Sequence, residues 1–145
     1  MVISKIIFLI LFIIFAPHSI AVGERKNVNY SVVMQSNLES GIPKENFSCE
    51  DKIFLYFTWF GLQGSHYLSS FWYNPRGRVQ ETTEYNFSVK NERESNTWLW
   101  LKLRKGKGKG FDFIDRVSLD FTGEWLVEIF LDGDFLERKK FTVIC

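Results

Sequence analysis

The chain has 145 residues, of which 46% are hydrophobic, 17% aromatic and 24% charged, and its formal net charge is +1. That length holds one domain with a full hydrophobic core and leaves no room for a second of ordinary size. A charge this close to balance excludes a function resting on whole-molecule attraction to nucleic acid or to an acidic membrane.

The N-terminus has the layout of a secretory signal. Lys5 supplies a positive start, Ile6 to Phe15 is an unbroken apolar run of ten residues, and Ser19 and Ala21 are small residues at the −3 and −1 positions of a cleavage site. The expectation is a signal peptide over residues 1–21, cleaved after Ala21, and a secreted or periplasmic domain over residues 22–145. The alternative is an uncleaved N-terminal anchor. Pro17 and His18 argue against it, because they interrupt the run well short of the ~20 apolar residues that span a bilayer. No other stretch of the chain is apolar for that long.

The remainder is rich in aromatic and β-branched residues in short runs separated by turn residues, the pattern of a sandwich or barrel. Residues 29–36 (NYSVVMQS) read as a first strand, and Gly41-Ile42-Pro43 punctuates the loop after it. Residues 53–60 (IFLYFTWF) are apolar on both faces, Ile53, Leu55, Phe57 and Trp59 on one and Phe54, Tyr56, Thr58 and Phe60 on the other, which predicts a central strand. Residues 66–73 (HYLSSFWY) form the next strand. Asn74-Pro75-Arg76-Gly77 suits a type I turn, so residues 78–89 should return as a hairpin partner. Their alternation predicts a half-buried strand with Glu81 as its one inward charge.

Residues 91–96 (NERESN) read as a polar connection. Residues 97–103 (TWLWLKL) are a strand with Trp98 and Trp100 on one face and Leu99, Leu101 and Leu103 on the other. The glycine-rich basic stretch that follows reads as a mobile loop, and residues 111–122 fit no single element. Trp125, Val127, Ile129 and Leu131 alternate into Asp132-Gly133, a strong signal for a tight hairpin. The return strand ends in Phe141, Val143 and Cys145 on one face. Two cysteines in an exported domain predict a Cys49–Cys145 disulfide. Cys49 shares parity with Ile53 and Leu55, so both cysteines are expected to point into the core.

The stretch Gly123-Glu124-Trp125-Leu126-Val127-Glu128-Ile129 with Asp132-Gly133 and Phe141-Thr142-Val143 resembles the terminal hairpin of small bacterial extracytoplasmic immunoglobulin-like or fibronectin-type-III-like domains. Gly64 to Trp72 with Pro75-Arg76-Gly77 is similar to an inner hairpin of such domains. The resemblance implies an all-β fold, a single antiparallel immunoglobulin-like β-sandwich of about seven strands, and a role in adhesion, assembly or accessory binding. Cys145 at the last residue departs from antibody domains, whose bridge joins two inner strands.

Candidate chemistry is sparse. His66 is the one histidine after residue 21. A Ser-His-acid reading would need Ser65, Ser69 or Ser70 with a carboxylate brought close. Ser70 shares the parity of His66, but four residues along a strand is roughly 13 Å, too far for a direct hydrogen bond. No G-x-S-x-G nucleophile elbow is present. Asp112, Asp115 and Asp120 lack the spacing of an EF-hand loop and read as solvated acids. Asn29, Asn46 and Asn86 begin glycosylation sequons, which matter only in a eukaryotic host.

Lys102, Arg104, Lys105, Lys107 and Lys109 form one cationic cluster, which reads as a solvated loop or as a contact for phosphate, lipid headgroups or acidic glycans. Trp98 and Trp100 precede it on a strand whose two apolar faces cannot both enter one two-layer core, so one face must be covered by another element, a partner or a ligand. The reading is a non-enzymatic exported domain with no cofactor and no metal. Trp98, Trp100, Lys102, Arg104, Lys105, Lys107 and Lys109 would bind a protein or a cell-envelope component. A carbohydrate-binding module using Trp98 and Trp100 is the alternative, and a small enzyme using His66 is the second.

Overall fold

A computed structural model describes residues 27–103 and 121–145. The expected signal peptide, Arg104, Lys105, Lys107, Lys109, Asp112, Asp115 and Asp120 lie outside the described residues. The elements in chain order are β1 (Asn29–Gln35), β2 (Asn46–Ser48), β3 (Lys52–Phe60), β4 (Gly64–Tyr73), β5 (Val79–Val89), β6 (Glu94–Lys102), β7 (Gly123–Leu131) and β8 (Asp134–Ile144). They form two sheets, ordered β1-β3-β6 and β2-β8-β7-β4-β5. The domain is therefore all-β and two-layered, with eight strands among the described residues where about seven were expected.

The added strand is β2. It is three residues long and pairs with β8 in parallel, with Phe47 opposite Val143. This corrects the expectation of a purely antiparallel sandwich. Three residues between polar loops carry no alternation of their own, and β2 exists because Phe47, 2% exposed, packs edge-on against Phe141.

The two hairpin turns behave as their residues dictate. Asp132 and Gly133 both take positive φ, 53° and 86°, the requirement of a two-residue type I′ loop that joins β7 to β8. In the β4–β5 hairpin, Gly77 N–H donates to the Asn74 carbonyl at 2.8 Å. Asn74 Oδ1 accepts from the backbone of Arg76 and Arg78 at 3.0 and 3.1 Å, so a buried asparagine spends its acceptor holding the turn.

The core lies between the sheets. Ile53, Leu55, Phe57 and Trp59 of β3 face Leu68, Trp72, Trp125, Val127 and Ile129 from the larger sheet, all 0% exposed. A buried indole must place its N–H. Trp59 donates to Thr97 Oγ1 at 2.8 Å, Trp72 to Thr83 Oγ1 at 3.0 Å and Trp125 to the Phe121 carbonyl at 2.7 Å. Ser70, also fully buried, is matched by Thr83 at 2.6 Å.

The Cys49–Cys145 disulfide is present, with Cα atoms 5.1 Å apart, inside the usual range. Only Cys49 reaches the core. Cys145 lies one residue beyond the end of β8 and is exposed, so the inward phase of Phe141 and Val143 does not extend to it.

Candidate binding face

The two-sided apolar strand resolves in one direction. β6 lies at the edge of the three-stranded sheet. Leu99 and Leu101 turn inward at 3% and 1% exposure, whereas Trp98 and Trp100 stand on the outer face at 47% and 46%. Burying the leucines and leaving out the indoles follows from register. Leu99 is opposite Leu55 and Leu101 opposite Ile53, the fully buried residues of β3, so the odd positions of β6 must enter the core.

The same register builds the outer face. Trp98 is directly opposite Tyr56 and Trp100 opposite Phe54, and Val33 of β1 adjoins Tyr56 on its other side. Phe54, Tyr56 and Val33 are half-buried. The result is an apolar row across three strands that ends in two exposed indoles. Phe54 and Tyr56 were legible as a second apolar face of residues 53–60, but nothing local in the sequence placed them beside Trp98 and Trp100.

At one end of this face Lys102 is directly opposite Lys52, and both are exposed. Lys52 Nζ lies 5.6 Å from the centre of the Trp100 ring, within cation–π reach. On the other side of β6 an open groove of about 320 Å³ separates it from β5, lined by Glu81, Thr83, Glu84 and Tyr85 with Trp98 and Trp100.

β5 departs from the half-buried pattern expected of it, since Val79 and Tyr85 of its inward set are 52% and 47% exposed. β5 is the outermost strand of a five-stranded sheet facing a three-stranded one, so its inner face projects past the cover. Tyr85, Glu81 and Glu84 were not singled out by sequence as parts of a site, apart from Glu81 as an inward charge. Tyr67 on β4 donates to Glu84, and that hydrogen bond raises the Tyr67 phenol above its ordinary value.

His66 is 5% exposed and fully engaged. Nδ1 bonds Asp132 Oδ2 at 2.7 Å and Nε2 bonds the Gln63 carbonyl at 3.0 Å. Asp132 Oδ1 also accepts the Tyr67 backbone N–H at 2.8 Å, so the pair ties the β7–β8 turn to the start of β4. Neither Ser65 nor Ser70 joins it. Ser65 Oγ bonds Ser88 Oγ at 2.9 Å and Ser70 Oγ bonds Thr83. Among the described residues no group of three or more His, Cys, Asp or Glu side chains could hold a metal ion, and no helix is long and apolar enough to cross a membrane.

No protein-family model matches the chain, and no curated protein is similar to it in sequence. Its likenesses are to solved structures, and they are of fold alone. An alkylpurine DNA glycosylase of Pseudomonas fluorescens, bound to DNA containing an abasic site analog, superposes with a TM-score of 0.53 at 11% identity, over 81% of this chain and 30% of that one. A β-glucosidase of Listeria innocua in complex with glucose gives 0.51 at 6% identity, over 82% and 16%. The chain thus spans under a third of either protein. An immunoglobulin-like protein of Pseudomonas aeruginosa matches over 80% of this chain and 90% of its own, at 15% identity and a TM-score of 0.42. The resemblance to immunoglobulin-like folds is distant and partial.

Proposed function

We propose that this chain is an exported, non-enzymatic binding domain that engages a protein or a cell-envelope component through the outer face of the sheet β1-β3-β6. One observation carries the reading. Trp98 and Trp100 stand about half exposed on a paired strand while the leucines alternating with them are buried. Full burial of a large apolar side chain is worth about 1.5–3 kcal/mol. Two indoles left in water, backed by Tyr56 and Phe54, are a contact surface of the composition that dominates interfaces.

The non-enzymatic part rests on His66, whose ring nitrogens are both occupied and whose neighbouring serines bond elsewhere. Export rests on the signal-like residues 1–21 together with the disulfide. Lys102 belongs to the face, and Arg104, Lys105, Lys107 and Lys109, which follow it in sequence, are assigned to the same binding role on their charge alone.

A carbohydrate-binding role is the second reading, favoured by the groove that sets Tyr85, Glu81 and Glu84 beside the same indoles. Replacing Trp98 and Trp100 together by Ala tests both. Far-UV circular dichroism and melting are expected to stay close to wild type, while retention on an immobilised cell-envelope fraction falls on the order of tenfold. Undiminished retention sinks the assignment of this face.

A further inference from the structure

We infer that this face takes an anionic glycan, a polysaccharide bearing carboxylate or sulfate groups, with Lys52 and Lys102 holding its charge and Trp98 and Trp100 its sugar rings. The inference rests on the proposed binding role of the outer face and names its ligand.

Like charges directly opposite across two strands are unfavourable. Lys52 and Lys102 nevertheless occupy one cross-strand pair, and among the described residues neither has an ion-pair partner. An anion over the pair relieves the repulsion and is shared by two ammonium groups. Trp100 sits next to it, with Lys52 Nζ 5.6 Å from its ring centre, so a bound group would meet positive charge and an aromatic face together.

Trp98 lies two positions earlier on the same strand, about 7 Å away, and stands on the same outer face at 47% exposure, a second aromatic surface beside the first. The C–H face of a pyranose ring stacks on such a plane, and a polymer with repeating rings can use both. A free phosphate would use the lysines and leave the indoles idle, and a lipid surface, which takes indoles at its interface, is separated from a glycan by the vesicle arm of the test.

The charges on the face also give direction. Glu81 and Glu84 line the groove on the β5 side, and Glu94 lies opposite Phe60 at the far end of β6. An anionic chain is therefore repelled from those borders and directed across β3 and β6 at the lysine end.

The test measures retention of the full secreted chain in affinity electrophoresis. The gels contain polygalacturonate, heparin, or neutral dextran. Wild type is compared with the Lys52→Ala, Lys102→Ala double variant and the Trp98→Ala, Trp100→Ala double variant. The expected result is retention by polygalacturonate or heparin but not dextran, weakened by salt. Loss of the two lysines should weaken it on the order of tenfold, and loss of the two tryptophans by at least as much.

Retention by dextran equal to that by the acidic polymers overturns the inference, as does full retention of the lysine variant. In either case a loss confined to the tryptophan variant leaves the binding face itself standing. Acidic-polymer retention unchanged in both double variants overturns the inference and counts against the face as well. Capture by phosphatidylglycerol vesicles without retention by either acidic polymer assigns the lysines to lipid and also overturns it.

Discussion

Removing the disulfide by Cys49→Ser together with Cys145→Ser should destabilise the domain without altering its folded shape. The bridge joins residues 96 apart in sequence. A loop of that length loses about 4.7 kcal/mol of closure entropy in the unfolded chain, which sets the ceiling. On the folded side the cost falls at Cys49, 8% exposed among core side chains, where a serine buries a hydroxyl. Cys145 is exposed, and β2 remains held to β8 by its ladder and by the Cys49 N–H donating to the Ile144 carbonyl at 3.3 Å.

The net expectation is therefore about 2–4 kcal/mol, below the ceiling because real unfolded chains retain structure. For a domain of this size that is a fall in melting temperature of roughly 8–16 °C. The assay is urea unfolding of the oxidised protein and the double variant, followed by tryptophan fluorescence. The variant should show a lower midpoint and a steeper slope, since its unfolded chain exposes more surface. A change under about 0.5 kcal/mol would refute the loop-closure reasoning. Two titratable thiols in the native oxidised protein would refute the bridge itself.

Thr97→Val removes the acceptor of the fully buried Trp59 indole N–H, a 2.8 Å bond, without changing shape. It should cost about 1–3 kcal/mol in urea unfolding at an unchanged slope, and a cost near zero would mean the indole has another acceptor. Glu128 accepts from the Arg138 guanidinium and from the Tyr73 hydroxyl at 2.9 Å, and Arg138 first, then Tyr73, hold its carboxyl below the ordinary glutamate value against the upward push of partial burial. A lowered folded value means the stabilisation is complete above the unfolded value of about 4.3 and is lost as pH falls through the folded one. Glu128→Gln should thus be less stable than wild type by about 1 kcal/mol at pH 7, with the gap closing in acid. A gap of equal size at pH 7 and pH 3 contradicts this.

Much of the fold was legible because strands announce themselves through period-two alternation and hairpins through turn chemistry. The β7–β8 hairpin follows from Asp132-Gly133 alone, and the β4–β5 hairpin from Asn74 to Gly77. Elements supported only by distant partners were not legible. β2 has no pattern of its own and exists through β8, nearly a hundred residues on. Residues 94–96 look like polar loop, yet they extend β6 because Phe60, Trp59 and Thr58 offer them a ladder.

The candidate face divides along the same line. Composition and alternation determined that residues 97–103 are a strand apolar on both sides, that one side must lie outside a two-layer core, and that Cys49 and Cys145 pair. Only the tertiary structure decided that the leucine side goes in. A period-two pattern says which residues share a face and is silent on which face is buried when both are apolar. That choice was made by pairing β6 with β3 rather than with its sequence neighbour β5. The same pairing brought Tyr56, Phe54 and Lys52 beside the two indoles and Lys102. Side-chain neighbours across a sheet depend on register between segments far apart in the chain, and no local reading of either segment contains it.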